Sequence, residues 1–419
     1  MDKLITWSRR YVLAAAASIL MVAASCGPAI AQTNELGGAR WVATWSVPLM
    51  APGTSLGDSS VAFDHQTVRQ IVPISAGGSR VRVRLSNEYG QAPLVVGTAS
   101  VAVPAAGASI VPNSARALSF QGQASIVIPQ GSVAVSDPIQ MHLPSNSRLA
   151  ISLYVAQNTE LAAYHPNGNQ TAYISTPGDF SAAVDFPTQL TTRSRYWLSF
   201  VEVLPSHRVG ALALFGDSIS EGSTTTQDAN LRVSDVLSRM INPTFGPARL
   251  AIINQSTGCA RLLWDVCGPS GVSRFEREVL NATGVTQILI ELGYVDIIYS
   301  TVFGAPAETT SADQIIAGLR QLIRRAKLRG LRVYGATLLP NGSSIFENVY
   351  TPENEAKRQA VNHWIRTTRE FDAVVDYDLA LRDPADPTRM LPAYDTGDGL
   401  HPNDAGHAAL ARAIAHTLR

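Results

Sequence analysis

The chain is 419 residues long, 46% hydrophobic and 16% charged, which suits a globular protein with room for two domains and excludes a disordered one. The formal net charge is zero and no basic run stands out, so binding driven by nucleic-acid phosphates or an anionic membrane surface is not expected. The 24 Pro and 31 Gly point to many turns, as in a chain with an all-β portion.

Residues 1–31 read as an export leader and not as part of the fold. Lys3, Arg9 and Arg10 make a positive start, Tyr11 to Ser25 is an Ala-rich apolar run, and Ala29-Ile30-Ala31 supplies a small-residue cleavage site. The run is shorter than the roughly 20 residues a membrane-spanning helix needs. Ser8-Arg9-Arg10-Tyr11-Val12-Leu13 resembles a twin-arginine signal, with Val12 where Phe is usual. Ala23-Ala24-Ser25-Cys26 is a weaker, lipoprotein-like alternative. Cleavage after Ala31 leaves Cys259 and Cys267. In an oxidising compartment this close pair favours a disulfide over two unpaired buried thiols. No further ligand lies near at a zinc-type spacing, so no metal is expected.

From about Arg40 to Leu204 the pattern is of short strands. Trp41 to Val47, Thr67 to Ile74, Arg80 to Leu85, Leu94 to Val103 and Arg148 to Val155 are rich in Val, Ile, Thr and aromatics, with turn residues between them. Along Ser79 to Leu85, Val81, Val83 and Leu85 share one face and three Arg the other, which predicts a strand with one solvated face. These runs predict a β-sandwich over residues 32–205.

After about Ser206 strands alternate with helices. Val209 to Phe215, Arg249 to Ile253, Gln287 to Leu292, Leu331 to Thr337 and Ala373 to Tyr377 are apolar runs of buried-strand type. Ile315, Ile316, Leu319, Leu322, Ile323 and Ala326 mark one helix face, with Ser311 as its cap and Gly330 as its stop. Thr351-Pro352-Glu353 opens the next helix. The prediction for residues 206–419 is a three-layer α/β/α domain on a mostly parallel five-stranded sheet, with chemistry beyond the carboxyl ends of the strands.

The first of these strands runs into Gly216-Asp217-Ser218-Ile219. A serine at such a turn is placed as a nucleophile, although Gly, Asp and Ser also make ordinary turns. Near the C-terminus, Asp398-Gly399-Leu400-His401-Pro402-Asn403 sets a carboxylate three residues before an imidazole, so that Asp398 can fix the His401 tautomer and leave the other nitrogen for Ser218. Asp404 and His407 repeat the spacing. With Asn403 as a helix cap, they read instead as a first-turn acid and a surface histidine. Asp217 reads as a structural hydrogen-bonder.

These blocks resemble the SGNH, or GDSL, esterases and lipases, specifically the subgroup with an N-terminal β-sandwich. The resemblance implies a flavodoxin-like catalytic domain behind a jelly-roll-like sandwich, with Ser218 as nucleophile and His401 and Asp398 completing a triad. Asn254-Gln255-Ser256-Thr257-Gly258 matches the second block, which gives the Gly258 N–H an oxyanion role beside the N–H of Ser218. Where the family carries Gly-x-Asn-Asp, this chain reads Gly293-Tyr294-Val295-Asp296, so Val295 replaces an asparagine that donates to the oxyanion. One lost donor costs on the order of 10²–10³ in turnover, which weakens a serine hydrolase without abolishing it. Tyr294 and Asn341 are candidates to replace it. The expectation is an exported serine esterase acting on a small ester or an acylated polysaccharide, without cofactor or metal. The alternatives are an acyltransferase using the same acyl-serine and a catalytically silent carbohydrate-binding protein. The sequence does not choose the substrate or the oligomeric state.

Overall fold

Val81, Val83 and Leu85 are fully buried on one face of the strand Gly78–Ser86, as period-two alternation requires. The structure, a computed structural model, describes residues 40–55 and 60–419, so the expected leader and Cys26 lie outside the described residues. Two antiparallel sheets form the N-terminal half. One contains Val42–Ser46, Leu198–Leu204, Gly78–Ser86, Val133–Val135 and Ile139–Leu143. The other is seven-stranded and centres on Gln66–Pro73, Arg148–Val155 and Leu94–Ala102. Their inner faces meet in one core that includes Val68, Val83, Val101, Ile151, Leu153 and Trp197.

The arginine face of Gly78–Ser86 is only partly solvated, less open than the expectation. Arg82 and Arg84 hold the buried Glu202 carboxylate at 2.6 and 3.2 Å and lie over the rings of Trp41 and Phe200. Arg84 also donates to Thr283 Oγ1 in the C-terminal half, at 3.3 Å. Alternation shows which face is polar. It cannot show that a second layer covers that face.

In the C-terminal half five parallel strands lie in the order Leu250–Asn254, Gly210–Gly216, Val285–Glu291, Arg332–Ala336, Ala373–Val375. Ala213 and Phe215 join a core under the helices Tyr294–Val302, Ala312–Leu328 and Pro352–Thr367. Leu212 and Leu214 point the other way, into a core under Val233–Ile241 and Asp404–Thr417. Alternate residues of one strand thus build the two outer layers. Ser311 and Gln314 form a reciprocal capping box, Thr351 caps the following helix, and Gly330 follows the first of these in the left-handed region at φ 71°. The last strand is shorter than predicted, because Asp376 accepts from Leu379 N–H and starts a helix at Tyr377.

The two halves share their packing. The exposed edge of Leu250–Asn254 is covered by the sandwich, where Ser75 Oγ accepts from Ile252 N–H at 2.8 Å and donates to Ile252 O at 3.0 Å. Asn242 Oδ1 accepts from the N–H groups of Arg249 and Leu250 where the same strand begins. Among the described residues no helix is long and apolar enough to cross a membrane.

Candidate active site

The strand Gly210–Gly216 has a parallel partner on each side, so its carboxyl end is fixed. Asp217 caps the single helical turn Ser218–Glu221, its Oδ1 accepting from Ile219 N–H at 2.9 Å. Gly216 admits no side chain, because a Cβ would lie 2.7 Å from both Ser220 Cβ and Glu291 Oε2. Ser218 is left at the turn, partly exposed.

His401 reaches this serine from 183 positions along the chain, with Ser218 Oγ 3.0 Å from His401 Nε2. His401 Nδ1 lies 2.7 Å from Asp398 Oδ2. Asp398 Oδ1 accepts from the N–H groups of Leu400 and His401 at 2.8 and 2.7 Å, so the loop orients its own acid. Burial opposes ionisation there, but the bond from the His401 ring and those two N–H groups outweigh it and hold the carboxyl well below the ordinary range. Gly399, at φ 68°, packs against Ser343, where a Cβ would come within 2.2 Å of backbone.

The second Asp/His pair has other partners. Asn403 caps the last helix and Asp404 accepts from the Thr226 N–H and hydroxyl, at 2.9 and 2.6 Å. His407 is not the surface histidine expected. It is fully buried in the helix face, and burial pushes its pKa down to about 3.

The oxyanion expectation for Gly258 needs correction. Its N–H donates to Glu221 Oε1 at 3.0 Å, and a buried carboxylate is a stronger acceptor than a neutral substrate carbonyl. Glu221 also accepts from Ser223 Oγ, and its Oε1 lies 3.3 Å from His165 Nε2. His165 belongs to the sandwich, its Nδ1 lies 3.0 Å from Pro48 O, and burial lowers its pKa to about 3. Burial also raises the Glu221 carboxyl above its ordinary value. No sequence signal marked His165, because its partner stands 56 positions away in the other half of the fold. Arg274 carried no local signal either, because its backbone partners lie 19 and 58 positions away. It donates to Gln255 O at 2.7 Å and Gly216 O at 3.3 Å, joining the two loops behind Ser218.

Val295 is buried and offers no donor. Tyr294 and Asn341 are brought together, the Asn341 amide donating to the Tyr294 hydroxyl. Asp296 accepts from Leu262 and Leu263 N–H at 2.6 and 3.1 Å and anchors the loop that follows Gly258. Burial pushes its carboxyl up to about 6 against those bonds.

Beneath Ser218, the buried Asp217 and Glu291 carboxyl groups face each other, with Ser220 Oγ on Glu291 Oε2 at 3.0 Å and no donor on Asp217 Oδ2. Burial raises both, and the Asp217 charge raises Glu291 further, so the folded protein keeps a proton that the unfolded chain loses. A raised carboxyl makes stability fall as pH rises from the unfolded value of about 4. Urea unfolding between pH 4.5 and 8 is expected to show this decline, and Glu291→Gln to flatten it and raise the midpoint at pH 8. An unchanged slope would remove the shared proton.

Residues 212–414 match the family model for GDSL-like Lipase/Acylhydrolase. The matched span carries Ser218, Asp398 and His401 at hydrogen-bonding separation. Over this span the chain carries a GDSL-like acylhydrolase domain. Its fold is the family's α/β fold, and the antiparallel half precedes it. Among solved structures, a GDSL-like lipase from Bacteroides thetaiotaomicron is 16% identical, covering 50% of this chain and 87% of that one at a TM-score of 0.38. An α/β hydrolase from the metagenome of Lake Arreo, Spain, is 17% identical, covering 50% and 96% at 0.40. A catalytic mutant of an acetylxylan esterase from Geobacillus stearothermophilus is 18% identical, covering 50% and 95% at 0.37. No curated protein matches the sequence. In this GDSL-like domain Cys259 and Cys267 stand at bonding distance, their Cα atoms 5.7 Å apart.

Proposed function

We propose that the protein is an exported serine esterase that hydrolyses carboxylic esters through an acyl-Ser218 intermediate. The observation that carries this reading is the relay Ser218–His401–Asp398, with separations of 3.0 and 2.7 Å. His401 takes the Ser218 proton as the hydroxyl attacks the ester carbonyl, and Asp398 steadies the imidazolium. His401 then protonates the departing alcohol. Water, activated by the same imidazole, releases the acid and regenerates Ser218. The chemistry calls for no cofactor.

The leader over residues 1–31 and the pairing of Cys259 with Cys267 support export to an oxidising compartment. On this reading residues 32–205 are the sandwich, which closes the sheet edge and contributes His165 behind the site, and residues 206–419 are catalytic. The substrate is a small ester or an acetylated polysaccharide.

Val295 and the occupied Gly258 N–H favour one competitor, a silenced scaffold. A fluorophosphonate probe separates the two readings. Labelling of Ser218, with turnover of p-nitrophenyl acetate and release of acetate from acetylated xylan, is expected. Folded protein that neither labels nor turns over either ester would overturn the esterase reading.

A further inference from the structure

Three N–H groups beside the nucleophile turn already have acceptors. Thr257 donates to Gly216 O at 3.3 Å, Gly258 to Glu221 Oε1 at 3.0 Å, and Ala260 back to Thr257 O at 3.2 Å. Among the described residues the N–H of Cys259, between the last two, has no acceptor, and Cys259 is partly exposed. The N–H of Ser218, first in its helical turn, has no intrahelical acceptor either.

The direction of the Cys259 N–H is set by an unusual backbone. Gly258 and Cys259 are the central residues of the turn closed by Ala260, and only Cys259 has positive φ, at 49°. Positive φ at the third residue defines a type II turn, a position that takes Gly or Asn because a Cβ is disfavoured there. Relaxing that φ to a negative value gives a type I turn and reverses the Gly258–Cys259 peptide plane, turning its N–H to the opposite side. The side chain that makes the position unfavourable is also the one paired with Cys267.

Resting on the esterase reading, we infer that the Cys259 backbone N–H, held in its left-handed turn by a disulfide to Cys267, is the second oxyanion donor beside the Ser218 N–H. The disulfide then positions a donor, and the glycine that the family pattern suggests is engaged by Glu221 instead. With Val295 unable to donate, the site depends more heavily on this turn.

Cys267→Ala breaks the tether and leaves residue 259 unchanged. It is expected to lower kcat by at least tenfold, towards the roughly 10²–10³ that a lost oxyanion donor costs, with KM changed far less. A C259G/C267A double variant is expected to regain kcat to within about threefold of the wild type, because glycine takes positive φ freely and keeps the N–H. A trifluoromethyl ketone, whose adduct carries the oxyanion, should bind more weakly to C267A in proportion to kcat and recover in the double variant. If C267A does not fold, dithiothreitol reduction of the folded wild type, with both thiols capped by iodoacetamide, reads the same quantity. Unchanged kcat on loss of the tether, or a double variant as slow as the single one, overturns the inference. Wild-type protein that fails to label with fluorophosphonate overturns the underlying esterase reading instead.

Discussion

Ser218→Ala is expected to lower ester turnover by on the order of 10⁴ or more, while the unfolding midpoint stays within experimental error of the wild type. The hydroxyl is the only atom lost, and its one side-chain partner is His401 Nε2 at 3.0 Å, on a partly exposed turn. Stability therefore has little to lose and chemistry nearly everything. Asp398→Asn sharpens the point, since an amide that donates to His401 Nδ1 inverts the tautomer and removes the acceptor that steadies the imidazolium. Steady-state kinetics on p-nitrophenyl acetate beside urea unfolding checks both. Turnover in Ser218→Ala within tenfold of the wild type would assign the reaction to another nucleophile.

Arg274→Ala is expected to damage fold and site together. The guanidinium is almost fully buried, lies 4.2 Å from the centre of the Phe215 ring and pairs with Glu278 Oε2 at 2.6 Å. Its remaining bonds go to Gln255 O and Gly216 O, on the two strand ends beside Ser218. Removing one member of a buried pair costs about 3–5 kcal/mol. Arg277, 3.3 Å from the other Glu278 oxygen, stays behind and keeps the loss near the lower end of that range. The Gln255 carbonyl is orphaned and the Gly216 carbonyl keeps only the Thr257 N–H, which adds to the loss and loosens the peptides that position Ser218, so kcat is expected to fall at least tenfold in protein that is still folded. Glu278→Gln tests the assignment. It removes the charge pair but not the two carbonyl bonds, so stability should drop with kcat nearly intact. Equal kcat losses in both variants would mean that the ion pair, not the bridge between the loops, matters to the site.

The elements, and the residues of the candidate relay, were legible along the chain. Strand and helix positions follow from local periodicity, as along Val81, Val83 and Leu85 or Ile315 to Ala326, and caps such as Ser311 and Asn403 act within one turn. Asp398 orients His401 from three residues away, through bonds that the short loop makes almost unavoidable. Tertiary structure alone decided the surroundings. Whether the Arg82 and Arg84 face meets water or Glu202, whether His407 is exposed, and whether the Gly258 N–H is free or held by Glu221 all depend on groups far away in sequence. A hydrogen bond or a buried charge is set by distances of a few ångströms between separate elements, and no pattern along the chain encodes that distance until the layers close.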